Sequence, residues 1–454
     1  MTAVQLLRRA RGPIEVTLFE RSSTLGPGVA YGTDVAGHLL NVPAAKMSAL
    51  PDVPDHFFQW VVKNSDTLRP WLTAAGYSGD VDGGAFLPRL VYGVYLKSLL
   101  ETTIAEAGIH MLRVREGVDV AGIAIVDGRP ALALSTGEIV DVDVVVLAVG
   151  NLPPSDPPVE DPSFYKTDLY RDRPWGRGAL EGLRPDDSVL LIGTGLTMID
   201  LATTLLDRGF WGRIHAVSRR GRLPNGHGSY PPGLYSMDAA SIPGNLRGLV
   251  KWFRRECKLA LERGSDWRAV FDAFRPYTQS TWSGFSVVEK RRFLRHVRGF
   301  WEVCRHRVPP AVRMRLSEAV ESGQLTVSPG RIVRYEWVGD TVEVIVSDSR
   351  NKGEHVVSVQ RVINCTGPTS NYRKMSDPLM NALFDLGVAA PDELHLGFAT
   401  DEAGRLIGRD GRSTSWLFTL GPTRKGSLWE TTAVPEIRVQ ARDLAGEILR
   451  EIED

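Results

Sequence analysis

Two stretches of this chain carry the residue types that grip nucleotide phosphates. The first reads SVLLIGTGLTMID over residues 188–200. Gly193 permits a tight turn after a buried strand, and Gly195 lets the backbone come close to a pyrophosphate. The positions that follow, with Thr194, Leu196 and Thr197, open a helix whose free N–H groups and positive dipole end face the phosphates. The third fingerprint position holds Met198 instead of Gly or Ala, so the pattern is G-x-G-x-x-M. The next strand closes in Ser218-Arg219-Arg220. An acid there would bond a free ribose 2′-OH, whereas a hydroxyl with guanidinium groups suits a 2′-phosphate. The expected ligand is NADPH over NADH. The competing readings are an ordinary glycine turn and a solvated basic turn.

The second stretch is the N-terminus. Residues 2–9 (TAVQLLRR) read as a short amphipathic helix and 14–20 (IEVTLFE) as a strand ending in Glu20. Helix, turn and strand closing in Glu form the second half of a dinucleotide-binding unit, in which the acid accepts the ribose 2′-OH. The first half would be an apolar strand and a G-x-G-x-x-G turn. The expectation is that the gene encodes about 10–20 further residues ahead of Met1 with a V-x-I-I-G-x-G-x-S-G pattern. That strand would lie between 14–19 and 142–149 in a 3-2-1-4-5 order. A matched pair of apolar strands, VVVLAVGN and VINCTGP, breaks at Gly150 and Gly367 and supports two nucleotide units in one chain.

The elements needed to position these residues alternate as expected of an α/β chain. Helices are predicted at 55–64, with Phe58, Val61 and Val62 inward, and at 86–108, with Leu96, Leu99, Leu100 and Ile104 as its apolar positions. Segments 117–126, 130–135 and 138–143 read as a small antiparallel meander. The run 142–150 reads as a buried parallel strand. A Pro/Asp/Arg-rich linker covers 151–185, and 188–193, 193–209 and 213–221 form a complete strand–turn–helix–strand unit. Residues 240–330 are mostly helical, 332–349 form a hairpin turning at Gly339-Asp340, 359–368 are a strand, and 416–453 are strand, loop and final helix.

The 454 residues suffice for two or three domains. Lys plus Arg balances Asp plus Glu, 54 against 54, which argues against a nucleic-acid binder or a polybasic membrane anchor. Three cysteines without C-x-x-C argue against a disulfide framework and a dithiol reductase, and fit a reducing, cytoplasmic setting. No apolar run approaches the ~18–20 residues of a membrane span. No metal-ligand cluster and no G-x-S-x-G nucleophile are visible. The Arg/Trp-rich block 281–310 has two readings. Arg295, Arg298, Arg305, His306 and Arg307 could bind the carboxylates of an anionic substrate; alternatively the arginines are solvated and Trp282, Phe293 and Trp301 build a core. His306 could act as acid or base near neutral pH.

As a set, FERSSTLGPGVAYGT, HLLNVPAAKMS, FLPRLVYGVYL, VVVLAVGNLPP, IGTGLTMID, FLRHVRGFWEVCRHRVPP, INCTGP and LGPTRKGSLWETTAVPEIRVQA resemble the two-dinucleotide-domain flavoproteins. Within them the chain is similar to the FAD/NAD(P)-binding family that includes bacterial FAD-dependent N-monooxygenases making nitrosuccinate from aspartate. The resemblance implies an α/β fold with two Rossmann-like domains, the second inserted in the first, plus small β-meanders and a helical insertion. The expected segments are 1–150 (FAD domain, first part, N-terminally truncated), 151–365 (NAD(P)H domain with a helical block at about 240–330) and 366–454 (FAD domain, second part). It implies FAD at Glu20, Arg21, Asn41, Val118, Gly150, Thr366, Gly367, Gly421 and Pro422. NADPH would lie at Gly193, Thr194, Gly195, Leu196, Thr197, Ser218, Arg219 and Arg220. Lys46, Arg89, His306 and Trp429 are the candidate substrate contacts. The implied activity is NADPH-dependent, FAD-mediated N-oxygenation of a small amino-acid-like or acidic metabolite with O2 as co-substrate. The alternatives are an NAD(P)H-dependent flavin reductase or dehydrogenase, and an inactive nucleotide-binding protein.

Overall fold

The computed structural model describes residues 1–176, 178–230, 233–348 and 353–453. Its largest sheet has five strands, all parallel, in the order Leu325–Pro329, Ile214–Ser218, Val189–Ile192, Arg361–Asn364, Tyr170–Arg171. Val189–Ile192 and Arg361–Asn364 are buried at every position; the first is a continuous Val/Leu/Ile run, and the second buries Val362 and Ile363 between Arg361 and Asn364. Helix Leu196–Asp207 covers one face with Met198, Ile199, Leu201, Ala202 and Leu205, and helix Pro310–Glu321 packs beside it through Leu316 and Ala319. The other face carries a three-stranded antiparallel sheet, Arg331–Val338, Thr341–Ser347 and Glu354–Val359, through Val342, Val344 and Val346. The predicted hairpin is therefore present, and its last predicted residue, Ser349, lies outside the described residues.

The other nucleotide-like region is assembled from distant pieces. Strand Glu15–Glu20 pairs in parallel with Met111–Glu116. Strand Val145–Leu147 pairs in parallel with Ser413–Thr419, which pairs in turn with Arg405–Ile407. The meander Val120–Val126, Arg129–Leu134, Ile139–Asp141 is antiparallel, as predicted. Helix Thr2–Arg9 lies against the C-terminal helix Val434–Glu453, where Leu6 meets Ala441, Leu444, Ala445 and Ile448. Among the described residues, Glu15–Glu20 and Val145–Leu147 each have one strand neighbour. Val16 and Leu18 on one side and Val144 and Val146 on the other face the same cavity.

Three local expectations are corrected. The buried strand expected over 142–150 is regular only over Val145–Leu147, and its middle residue is half-buried, because one edge opens on the cavity. In helix His56–Lys63, Phe57 and Val61 are buried while Val62 is 54% exposed. Val61 is thus inward as expected and Phe58 packs partly against the core, whereas Phe57 takes the inward place expected of Val62. In helix Arg89–Ala105 the buried positions are Leu90, Val91, Tyr92, Gly93, Tyr95 and Thr103; Ile104 is 41% exposed, and Leu96, Leu99 and Leu100 face the cavity.

The block from Leu246 to Glu321 is helical. Asn245 caps its first helix by accepting from the Gly248 amide, and Ser286 and Glu289 form a reciprocal capping box. Trp252, Phe274, Trp282, Phe293 and Trp301 make its core, so the tryptophan half of the block is structural. No helix is long and apolar enough to cross a membrane among the described residues. None of the three cysteines is paired in the structure.

Candidate functional site

A cavity of about 3100 Å³ runs between the two nucleotide-like regions. It sits where parallel strands end, the usual position of ligands in open α/β sheets. Gly150 follows Val145–Leu147 and Gly421 follows Ser413–Thr419; both line the cavity with left-handed backbones, φ +63° and +72°. A Cβ on Gly150 would meet nothing within 4 Å, so its open side is free for a ligand. Thr419 locks the two strand ends by donating its hydroxyl to the Leu147 carbonyl at 2.8 Å.

Along the first region, Glu20, Arg21, Asn41 and Val118 all line the cavity. The Glu20 carboxylate accepts from the Ser22 amide at 2.8 Å, and its carbonyl accepts from the Val118 amide at 3.1 Å. The Asn41 carbonyl is held by His227 Nε2 at 3.0 Å. Arg21 leans on Asp119 and Asp377. The first turn of helix Thr2–Arg9 also opens into the cavity with no side-chain cap. Its free amides and dipole suit a phosphate. An acid, a helix start and open glycines at strand ends therefore fit a dinucleotide laid along this wall.

In the second region Gly193 and Gly195 have different roles. Gly193 has φ +114°, and a Cβ there would come within 2.4 Å of the Cys365 carbonyl oxygen. Its glycine is required by the neighbouring strand as well as by the turn. Gly195 caps helix Leu196–Asp207 and has nothing within 4 Å of its Cβ position, which leaves room for a ligand. Met198 is fully buried and fills the helix–sheet contact where the usual fingerprint has Gly or Ala. Leu196, Thr197 and Gly367 line the cavity, whereas Gly193, Thr194, Gly195, Ser218, Arg219, Arg220 and Thr366 stand off its wall. Thr366 instead donates to the Asn364 side chain.

The basic strand end is also divided. The Ser218 hydroxyl is 2.9 Å from that of Thr194 and accepts from the Gly221 amide. Arg220 reaches away, donating to the Arg295 carbonyl at 2.9 Å and lying over the Phe300 ring. Among the described residues Arg219 makes no hydrogen bond or ion pair. Burial, with the charges of Arg298 and Arg331, pushes its pKa down. Arg298 and Arg331 were not recognisable in sequence as neighbours of Arg219.

The cavity wall contributed by the helical block holds the titratable cluster. His306 Nε2 meets Glu430 at 3.1 Å, and Trp301 Nε1 donates to the other Glu430 oxygen at 2.7 Å. Glu430 is 8% exposed and has φ +65°, an unusual backbone for a non-glycine residue. Burial opposes its ionisation, but His306, Arg305 and the Trp301 bond outweigh burial and hold its carboxyl well below the usual range. Arg275 makes a two-point contact with Glu436, at 2.8 and 3.0 Å. Arg307 donates to Asp272, which Tyr230 also bonds. Burial and the Arg307 charge push His227 down to about 4, so it is neutral at pH 7.

Of the expected substrate contacts, Lys46 and His306 line the cavity. Arg89 lines it too, but its guanidinium is paired with buried Asp200 at 2.7 and 3.2 Å, and its Nε donates to the Leu39 carbonyl. Trp429 is corrected: it is 2% exposed and stacks on Trp282 at 4.9 Å in the helical core, off the cavity wall. Arg295 is exposed and Arg298 pairs with Glu302; neither lines the cavity. Glu430, Asp272, Arg275 and His227 were missed because nothing in the linear sequence ties them together. No group of three or more metal-ligating side chains occurs among the described residues.

A family model described as FAD-NAD(P)-binding matches residues 1–152, about a third of the chain. No curated protein matches the sequence. The structure is similar to the ornithine N-hydroxylase of Kutzneria sp. 744, with TM-score 0.67 and 14% identity over 99% of this chain and 96% of that one. It is also similar to the L-lysine 6-monooxygenase of Pseudomonas syringae, with TM-score 0.62 and 14% identity over 96% and 99%. The thioredoxin reductase of Lactococcus lactis follows at TM-score 0.52 and 10% identity, over 100% and 95%. The fold is α/β and matches these two-dinucleotide-domain proteins.

Proposed function

We propose that the protein is an FAD- and NADPH-dependent monooxygenase that oxygenates the nitrogen of a small amino-acid-like amine. The observation that carries this reading is a single cavity bounded by two nucleotide crevices and closed by a wall of charged side chains, Lys46, Arg275, Arg305, His306 and Glu430. The likeness along nearly the whole chain to hydroxylases of ornithine and lysine supports it. On this reading residues 1–150 and 366–454 hold FAD, and 151–365 hold NADPH.

When bound, FAD would accept hydride from NADPH and activate O2. The chain's own part is to bind and orient. Glu20 would take the adenosine ribose, Gly150, Gly421 and Pro422 would face the flavin, and Leu196, Thr197 and Gly367 would bring the second nucleotide to the same cavity. Arg219, with Arg298 and Arg331, would receive the 2′-phosphate. The buried Trp301–Glu430–His306 contact would fix the imidazole at the cavity wall beside the substrate.

A flavin reductase is the second reading, favoured by the likeness to the thioredoxin reductase fold. The two are separated by the fate of reducing equivalents in the FAD-loaded protein. An oxygenase gives hydroxylated amine in proportion to NADPH consumed, and a reductase gives hydrogen peroxide with no oxygenated amine. A chain that binds neither nucleotide would overturn both.

A further inference from the structure

The guanidinium of Arg305 is almost wholly buried, with its side chain 12% exposed, yet it makes no hydrogen bond among the described residues. Its nearest carboxylates stand at 3.8 Å (Glu430) and 3.6 Å (Glu436), beyond hydrogen-bond reach. Glu430 is already engaged by Trp301 and His306, and Glu436 by the two-point contact of Arg275. Two residues on, Arg307 is 4% exposed and spends one nitrogen on Asp272, leaving its Nε buried and unpartnered. Both arginines line the cavity. Buried donors without partners are uncommon and need an explanation such as a missing ligand. The planar fork of Arg matches a carboxylate or a phosphate.

Lys46, Arg275, Arg305 and Arg307 line the cavity together with the carboxylates of Asp272 and Glu430, while Glu436, bonded by Arg275, stands off this wall. The cations outnumber the carboxylates, so the wall favours an anion, and a chamber that takes an amine substrate makes a carboxylate on that substrate the fitting one. We infer that Arg305, seconded by Arg307, binds the carboxylate of the substrate, so that the amine oxygenated here is carried by an amino acid and not by a simple alkylamine. The inference rests on the reading of the cavity as the substrate chamber of an amine oxygenase.

Calorimetric titration of the FAD-loaded protein tests it. The probes are L-aspartate and L-ornithine, each against its α-carboxamide, with inorganic phosphate as a further probe. The expected result is that at least one acid binds and its amide binds about 10- to 100-fold more weakly. Arg305→Gln removes that preference, Arg305→Lys keeps part of it, and Arg295→Gln, on the exposed side of the block, leaves it unchanged. Thermal melting of each variant verifies folding. Equal binding of acid and amide, an unchanged preference in folded Arg305→Gln, phosphate binding tighter than either acid, or no binding of either acid overturns the inference. An acid preference that depends on Arg305 without any amine oxygenation would keep the carboxylate site and sink the oxygenase. Oxygenation indifferent to the carboxylate would do the reverse.

Discussion

The two nucleotide-like regions reach the same cavity by different routes. The one built on Val189–Ile192 is contiguous: strand, glycine turn, helix and next strand follow within about thirty residues, inside a five-stranded parallel sheet. The other gathers Glu15–Glu20, Gly150 and Gly421 from the beginning, the first third and the end of the chain, and its strands lie in two separate sheets with the cavity between them. Local sequence dictates the first, so its glycines have strict steric duties. Tertiary assembly dictates the second, so its geometry depends on contacts between distant segments.

One buried ion pair ties the two together. Arg89 belongs to the helix beside the region assembled from distant segments, and Asp200 to the helix after the glycine turn of the contiguous one. Burial raises the Asp200 pKa against the pull of Arg89 and His38, and burial lowers that of His38. His38 bridges the same helix, with Nε2 at 2.7 Å from the Thr204 hydroxyl. Arg89→Leu leaves Asp200 buried without its partner and should cost about 3–5 kcal/mol. Denaturant unfolding measures that loss. A change below about 1 kcal/mol would mean that the two regions do not depend on this pair.

The glycines sharpen the contrast. Gly193→Ala forces a Cβ against the Cys365 carbonyl at a left-handed φ, and should destabilise by about 3 kcal/mol or more. Gly195→Ala meets no protein atom. It should leave the melting temperature nearly unchanged while weakening NADPH binding about tenfold, measured by fluorescence titration. If Gly195→Ala unfolded the protein and Gly193→Ala did not, the steric assignment of the two would be reversed.

How much was legible follows the same division. The Gly193–Arg220 unit could be read because its parts are adjacent and each has a local signature. The hairpin turning at Gly339-Asp340 and the meander near Val118 were legible for the same reason. The charged wall was only half visible. Arg305, His306 and Arg307 stood out by composition, but Asp272, Arg275, Glu430 and Glu436 come from three other places and carry no local mark. Trp429 misled because neighbouring residues diverge: Glu430, at φ +65°, points to the cavity, while Trp429 stacks into the helical core. One helix near the cavity divides its apolar positions: Leu96 and Leu99 pack partly against the core while also lining the opening, Leu100 lines the opening, and Ile104 is exposed.

The charged wall should respond to acid in a definite direction. Glu430 has a folded pKa depressed below its unfolded value of about 4.3. The folded state therefore binds this proton less readily than the unfolded chain, and the ionised group contributes stability at pH 7. That contribution is complete above the unfolded pKa and is lost as pH falls below about 4 toward the folded value. Glu430→Gln should cost about 1–3 kcal/mol at pH 7 and flatten the acid limb of stability against pH. An acid limb identical to that of the wild-type protein would show that Glu430 is not held ionised by His306 and Arg305.

The smallest effect concerns cofactor choice, where the two basic neighbours differ in how they are used. Arg219 makes no hydrogen bond or ion pair among the described residues and shares its surroundings with Arg298 and Arg331. Arg220 is tied to the backbone of the helical block. Arg219→Ala should raise the KM for NADPH about tenfold, with that for NADH nearly constant, as expected for loss of one charge-assisted contact to a 2′-phosphate. Arg220→Ala should change both nucleotides alike, because it loosens the contact to Arg295 without removing a phosphate ligand. Steady-state kinetics with the two nucleotides separate these outcomes. If Arg220→Ala were the selective variant, the phosphate site would lie on the helical-block side of the strand end, and the inactivity of Arg219 toward protein partners would need another explanation.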